Sequence, residues 1–117
     1  PTSAELKLLK VLWRDGPASA QQVFEAVKQE YPETAQATVL RQLQVMHSKG
    51  ILLRDEAQRS HIYSAAQAQA KLQGNLLKEF IQSAFSGSGK ALIMAALKGH
   101  VSAKERAEIE AFLEENK

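Results

Sequence analysis

Residues 34–63 read TAQATVLRQLQVMHSKGILLRDEAQRSHIY, and three local patterns follow one another there without a gap. Val39, Leu43 and Met46 stand at i, i+4 and i+7, the spacing that puts apolar side chains on one face of a helix. Thr34, Ala37, Thr38, Arg41, Gln44 and Ser48 then fall outward, as a polar face carrying one arginine. Gly50 can enter the left-handed region that ends a helix, after which ILLR runs extended to a polar DEAQ turn and RSHIY returns. A helix, a glycine stop and a hairpin in that order outline a winged helix-turn-helix, with the hairpin as the wing. The outward face suits a DNA groove.

The chain upstream supplies the rest of such a head. Thr2 with Glu5 and Ser19 with Gln22 are capping boxes, in which a hydroxyl satisfies a free N–H while a carboxyl or amide three residues on reaches back. From Thr2 a first helix carries Leu6, Leu9 and Trp13 on one stripe, flanked by Val11 and Leu12, and Asp15-Gly16-Pro17 stops it near Arg14. A second helix from about Ala20 to Glu30 turns Val23, Ala26 and Val27 inward. It ends at Tyr31-Pro32, because the residue before proline avoids the helical region. Trp13 is read as a core residue.

Beyond Ser64 the sequence changes to AAQAQAK, a helix-favouring bridge. Leu72, Leu76, Leu77, Phe80, Ile81 and Phe85 then recur at three- and four-residue spacing, an apolar stripe that a small head need not cover. Ser86-Gly-Ser-Gly89 breaks this helix, and Ser88 can cap the next, which contains Leu92 and Ile93. Ser102 with Glu105 opens a final amphipathic helix bearing Ile109, Phe112 and Leu113. Three short helices with so much apolar stripe are expected to pack against a second copy. Gly74 is either a hinge or a tolerated surface glycine. The expected organisation is a winged helix-turn-helix DNA-binding domain over residues 1–65 and a helical dimerisation domain over 66–117. The fold class is mainly α with a small β-hairpin wing.

Composition narrows the function. A chain of 117 residues that is 44% hydrophobic holds one domain, or one small domain and an oligomerisation segment. Its formal charge is +2, and basic against acidic residues number 8 to 7 over 1–64 and 7 to 6 over 65–117. DNA affinity must therefore come from local clustering and from two copies acting together. With no cysteine there is no disulfide, thiolate metal site or thiol nucleophile. His47, His61 and His100 lack ligand spacing, so no metal is expected, and nothing calls for a cofactor. No nucleophile is paired with a base, and the SGSG run lacks the spacing of a phosphate-binding loop even though Lys90 follows it, so no enzyme is expected. Without an apolar window of about 18 residues or a signal peptide, a cytoplasmic protein that does not insert in membranes is expected. The chain opens at Pro1 rather than Met, which leaves open whether residues precede it.

Several segments together resemble the BlaI/MecI/CopY family of penicillinase-type repressors. They are the opening Ser3-Ala-Glu-Leu6 with Trp13, then Thr38-Val39 followed by Leu43, Met46 and Lys49-Gly50. Arg59 with Tyr63 resembles the family's wing, and Phe85-x-Gly87-Ser88 followed by Leu92-Ile93 its dimerisation segment. The resemblance implies a homodimer that sits on an inverted-repeat DNA operator and blocks transcription. In the best-known members a membrane-bound protease sensor triggers cleavage after the Gly-Ser loop, which implies a protease as a further candidate partner. The corresponding stretch is Met94-Ala95-Ala96-Leu97, with Ala95 and Ala96 as the candidate proteolytic region; it lacks the Asn-Phe bond of those members. Copper-responsive members use paired cysteines, which this chain lacks. Leu40 and Val45 stand where many relatives carry arginine.

Candidate DNA contacts follow from residue chemistry. Arg41 can bind a phosphate or make a bidentate contact to guanine, and Thr38 can donate to a phosphate or touch a thymine methyl. Ala37 and Gln44 share that face. Arg59 lies where a wing tip reaches phosphates or the minor groove, and Arg54 on the partner strand can assist it. The same face on a winged helix also suits a protein–protein interaction module, because fold alone does not decide function.

Overall fold

The computed structural model describes residues 1–117. The helices are α1 (Ser3–Asp15), α2 (Ala20–Glu30), α3 (Gln36–Ser48), α4 (Gln69–Ala84), α5 (Gly89–Gly99) and α6 (Ala103–Glu115). The strands are β1 (Ala18–Ser19), β2 (Leu52–Asp55) and β3 (Ile62–Ala65). The chain divides into two compact units, Pro1–Leu72 and Gln73–Lys117.

Capping chemistry starts α1 and α2 where the sequence calls for it. The Glu5 N–H donates to Thr2 Oγ1 at 3.1 Å while the Thr2 N–H donates to Glu5 Oε1 at 2.9 Å. Ser19 and Gln22 make the same reciprocal pair at 3.2 and 2.9 Å. Gly16 ends α1 and Gly50 follows α3, both at positive φ, +83° and +79°. The core gathers Leu8, Leu9 and Leu12 of α1, Val23 and Val27 of α2, and Val39, Leu43 and Met46 of α3. Leu52 and Tyr63 close it from the sheet. The buried stripe of α1 is thus turned from the expected one. Leu8 is fully covered, whereas Leu6 and Trp13 are partly buried and pack against the core from its edge.

The wing belongs to a three-stranded antiparallel sheet of order β1-β3-β2, where the sequence suggested a two-stranded hairpin. Tyr63 on the central strand faces Ala18 on one side and Arg54 on the other. A strand of two residues that also contains an N-cap has no alternation to read, which is why β1 is invisible in the sequence. The return strand begins at Ile62 because the turn is longer than DEAQ; Asp55 Oδ1 accepts the Ala57 N–H at 2.9 Å at its start. After β3 the chain stays on the first unit. The Trp13 indole N–H donates to the Gln67 carbonyl at 3.0 Å, the Ala66 N–H donates to the Ile51 carbonyl at 3.0 Å, and Leu72 packs on the core. Contacts accordingly divide the chain after Leu72 rather than after residue 65, so Leu72 leaves the apolar stripe assigned to the second unit.

In the second unit no side chain of α5, α6 or α4 is fully buried. Phe80 and Phe85 meet edge to face at 5.6 Å between ring centres. Gly87, at φ +85°, turns the chain after α4, and Ser88 caps α5 by accepting the Ala91 N–H at 3.0 Å. Ser102 and Glu105 form the third reciprocal cap, and Arg106 Nη2 donates to the Leu97 carbonyl at 3.2 Å. Gly74 is exposed within α4, and a Cβ there would meet nothing within 4 Å.

Glu5 does more than cap α1. Its side chain is almost wholly covered, and Lys49 Nζ at the end of α3 donates to its Oε2 at 2.9 Å. The Thr2 N–H first, and Lys49 second, hold the Glu5 carboxyl below its ordinary value of 4.5 against the opposing effect of burial. A lowered folded-state pKa gives stability that is present above the ordinary value and lost as pH falls through the folded value. Glu5→Gln should therefore cost about 1–2 kcal/mol at neutral pH. In denaturant titrations at fixed protein concentration, the gap from wild type should shrink as pH falls below 4.5; a gap independent of pH would contradict this role.

Candidate nucleic-acid interface

The orientation of α3 follows from its three fully buried side chains. Val39, Leu43 and Met46 are each 0% exposed. At about 100° per residue, their burial turns Ala37, Arg41, Gln44 and Ser48 to the opposite side. All four are exposed, with Thr38 and Val45 along one flank and Leu40 along the other. Thr34, expected on this face, lies before the helix, where its N–H donates to the Tyr31 carbonyl at 3.0 Å. Helix α3 begins at Gln36, and its N-cap, Ala35, has no side-chain acceptor to offer. The first-turn N–H groups are thus left without a side-chain cap, at the end of a helix that favours anions.

Pairing of β1 with β3 brings the start of α2 beside the wing. A depression of about 240 Å³ is lined by Ser19 and Gln21, by Leu40 and Gln44 of α3, and by Arg59, Ser60 and His61 of the wing, above Tyr63. Gln36 Nε2 donates to Gln21 Oε1, and Gln21 Nε2 donates to Glu25 Oε1 at 3.0 Å, tying the first turns of α3 and α2 together. The sequence shows the Ser19 cap but gives no sign that α2 starts next to Arg59, since that proximity depends on the two-residue strand. Ser60, His61 and Gln21 are the polar neighbours missed for this reason.

The two wing arginines differ. Arg59 is exposed and, like Arg41, makes no ion pair. The Arg54 side chain is only 21% exposed, and its Nη2 lies 3.2 Å from Glu56 Oε1. The Tyr63 phenol first, then the Glu56 carboxylate, hold the Arg54 guanidinium above its ordinary value, and its Nε is buried without a partner. Arg54 is thus engaged within the sheet, while Arg41 and Arg59 are the free cations of this surface. His61 Nε2 stands 3.9 Å from the same Glu56 carboxylate.

In the second unit, Leu77, Phe80, Ile93, Ile109, Phe112 and Leu113 are exposed, and Leu76, Ile81, Phe85 and Leu92 are half-buried. Ala95 is exposed and Ala96 half-buried, both inside α5, and of the stretch Met94–Leu97 only the first two residues are exposed. No group of three or more His, Asp or Glu side chains is arranged to hold a metal ion. No helix is long and apolar enough to cross a membrane.

The penicillinase repressor family profile matches residues 1–115. The chain belongs to the penicillinase repressor family. For this penicillinase repressor family member, no match is found among curated proteins. A solved complex of hsRosR-S4 is similar over 99% of this chain and 89% of its own, with a TM-score of 0.58 and 14% identity, a likeness of fold. The solution structure of apo-NmtR is 30% identical over 70% of this chain and 61% of its own, with a TM-score of 0.47. Membership in the penicillinase repressor family, on a winged-helix fold, supports a DNA-binding repressor.

The contrast between the wing arginines can be tested by paired substitutions. Arg59→Ala should weaken binding to duplex DNA and reduce its salt slope by about 1 while leaving the denaturation midpoint unchanged. Arg54→Ala should lower the midpoint, because it strips Tyr63 and Glu56 of their partner. The opposite assignment of effects would contradict this arrangement.

Proposed function

We propose that this protein is a homodimeric transcriptional repressor that binds an inverted-repeat DNA operator, with α3 in the major groove and the wing on the backbone. The observation that carries the reading is the uncommitted face Ala37-Arg41-Gln44, exposed opposite the buried side of α3 and flanked by Thr38, with unpaired Arg59 across one depression. A guanidinium and an amide on the outer line of one helix are the donors that read guanine and adenine edges. Arg59 and the uncapped start of α3 supply phosphate contacts. Arg54 acts behind them by stiffening the sheet.

Two free cations are few for one DNA-facing surface. The formal charge of the whole chain is only +2, so the long-range attraction from a single copy is weak. A second head doubles the phosphate contacts, and the apolar side chains left open on all three helices of the second unit supply the reason for pairing. A two-fold dimer requires an inverted repeat in the DNA. Occupation of such a site blocks transcription in the cytoplasm. Release by a protease acting near Ala95 and Ala96 would require α5 to open locally first, because both residues are helical.

Titration of an operator duplex across salt tests the DNA contact. A steep negative log–log slope is expected, since neutralised phosphates release counterions. A slope near zero would favour a protein partner instead. Arg41→Ala should cost about 1–3 kcal/mol with relaxed discrimination at one base pair if Arg41 reads a base, or an equal loss on all sequences if it binds phosphate. Sedimentation should give a species of about twice 12.9 kDa at micromolar concentration; a compact monomer would overturn the dimer.

A further inference from the structure

The outward side of α3 carries two large apolar groups that the head does not use. Leu40 is 41% exposed and Val45 40%, and neither joins the core cluster or packs on it. Helical geometry sets them roughly 70° to either side of the line Ala37–Arg41–Gln44–Ser48. Leu40 also lines the depression shared with Gln44 and Arg59. An apolar side chain thus stands on each flank of a polar centre line.

The surface is too polar along its centre, and too close to unpaired Arg41 and Arg59, to suit an apolar helix or another protein core. A major groove fits the alternation. It offers acceptors and donors along the base edges, and its apolar feature is the C5-methyl group of thymine. We infer that Leu40 and Val45 read thymine methyl groups on the two flanks of the contact made by Arg41 and Gln44. The half-site then carries thymines on either side of the base pair under Arg41. This rests on the DNA-binding reading above and deepens it from a duplex to a methyl pattern. Neither side chain can hydrogen-bond, so the discrimination comes from desolvation of the methyl and from van der Waals contact alone.

The test uses the full-length protein and duplexes that it selects from a random-sequence pool, with each thymine of the half-site replaced in turn by uracil. That change removes the methyl and keeps the Watson–Crick edge. At the read positions affinity should fall about four-fold per methyl, and about 15-fold when the symmetric position in both half-sites is changed. Leu40→Ala should erase the loss at one position, and Val45→Ala at another. Both sites are exposed, so the variants should keep the wild-type thermal midpoint. Binding that resists every uracil replacement would overturn this inference and leave DNA recognition standing, as would losses that persist in both alanine variants. Failure to select any salt-sensitive duplex would remove the DNA reading itself.

Discussion

Burial of Val39, Leu43 and Met46 is the constraint on which the functional reading depends. Each is wholly covered by the first unit, and together they leave α3 one rotation about its own axis. A shift of one residue would turn the helix by about 100° and expose side chains whose burial is worth roughly 1.5–3 kcal/mol apiece, an upper estimate because unfolded chains are partly compact. The polar face is therefore held in place by the apolar one. Arg41 and Gln44 point outward because their neighbours in the heptad cannot.

A second level of order comes from the sheet. Tyr63 lies on the middle strand, with Ala18 and Arg54 as its partners, so one buried residue joins the start of α2 to the wing. This pairing brings Ser19 and Gln21 to the side of Arg59. The Glu5–Lys49 ion pair does similar work at the other end of α3. Arg41 and Arg59 thus stand on elements that other side chains tie together.

Much of this was legible from local chemistry. The reciprocal caps at Thr2, Ser19 and Ser102 each mark a helix start to within a residue, because an N-cap is a short-range geometry written in two side chains. The spacing of Val39, Leu43 and Met46 correctly identifies the hidden side of α3. What escaped depends on long-range packing. β1 is too short to have a period, Leu8 displaces Leu6 from the buried stripe once α1 joins the core, and Leu72 packs against the head. Arg54 and Arg59 look alike in sequence; only the sheet register puts one beside Tyr63 and leaves the other in solvent. The start of α3 carries no capping signature to read, because its N-cap is Ala35 rather than Thr34.

The two units differ in the surfaces they present. The first buries a complete core and exposes a small polar face, while the second exposes large apolar side chains on every helix. Weak charge on one and unsatisfied apolar area on the other both point to two copies on one stretch of DNA. A hydroxyl-radical footprint of a selected duplex tests that claim most directly. Two protected patches related by two-fold symmetry, with centres about one helical turn or a multiple of it apart, are predicted. A single unsymmetrical patch, or none at concentrations where the protein is bound, would contradict it.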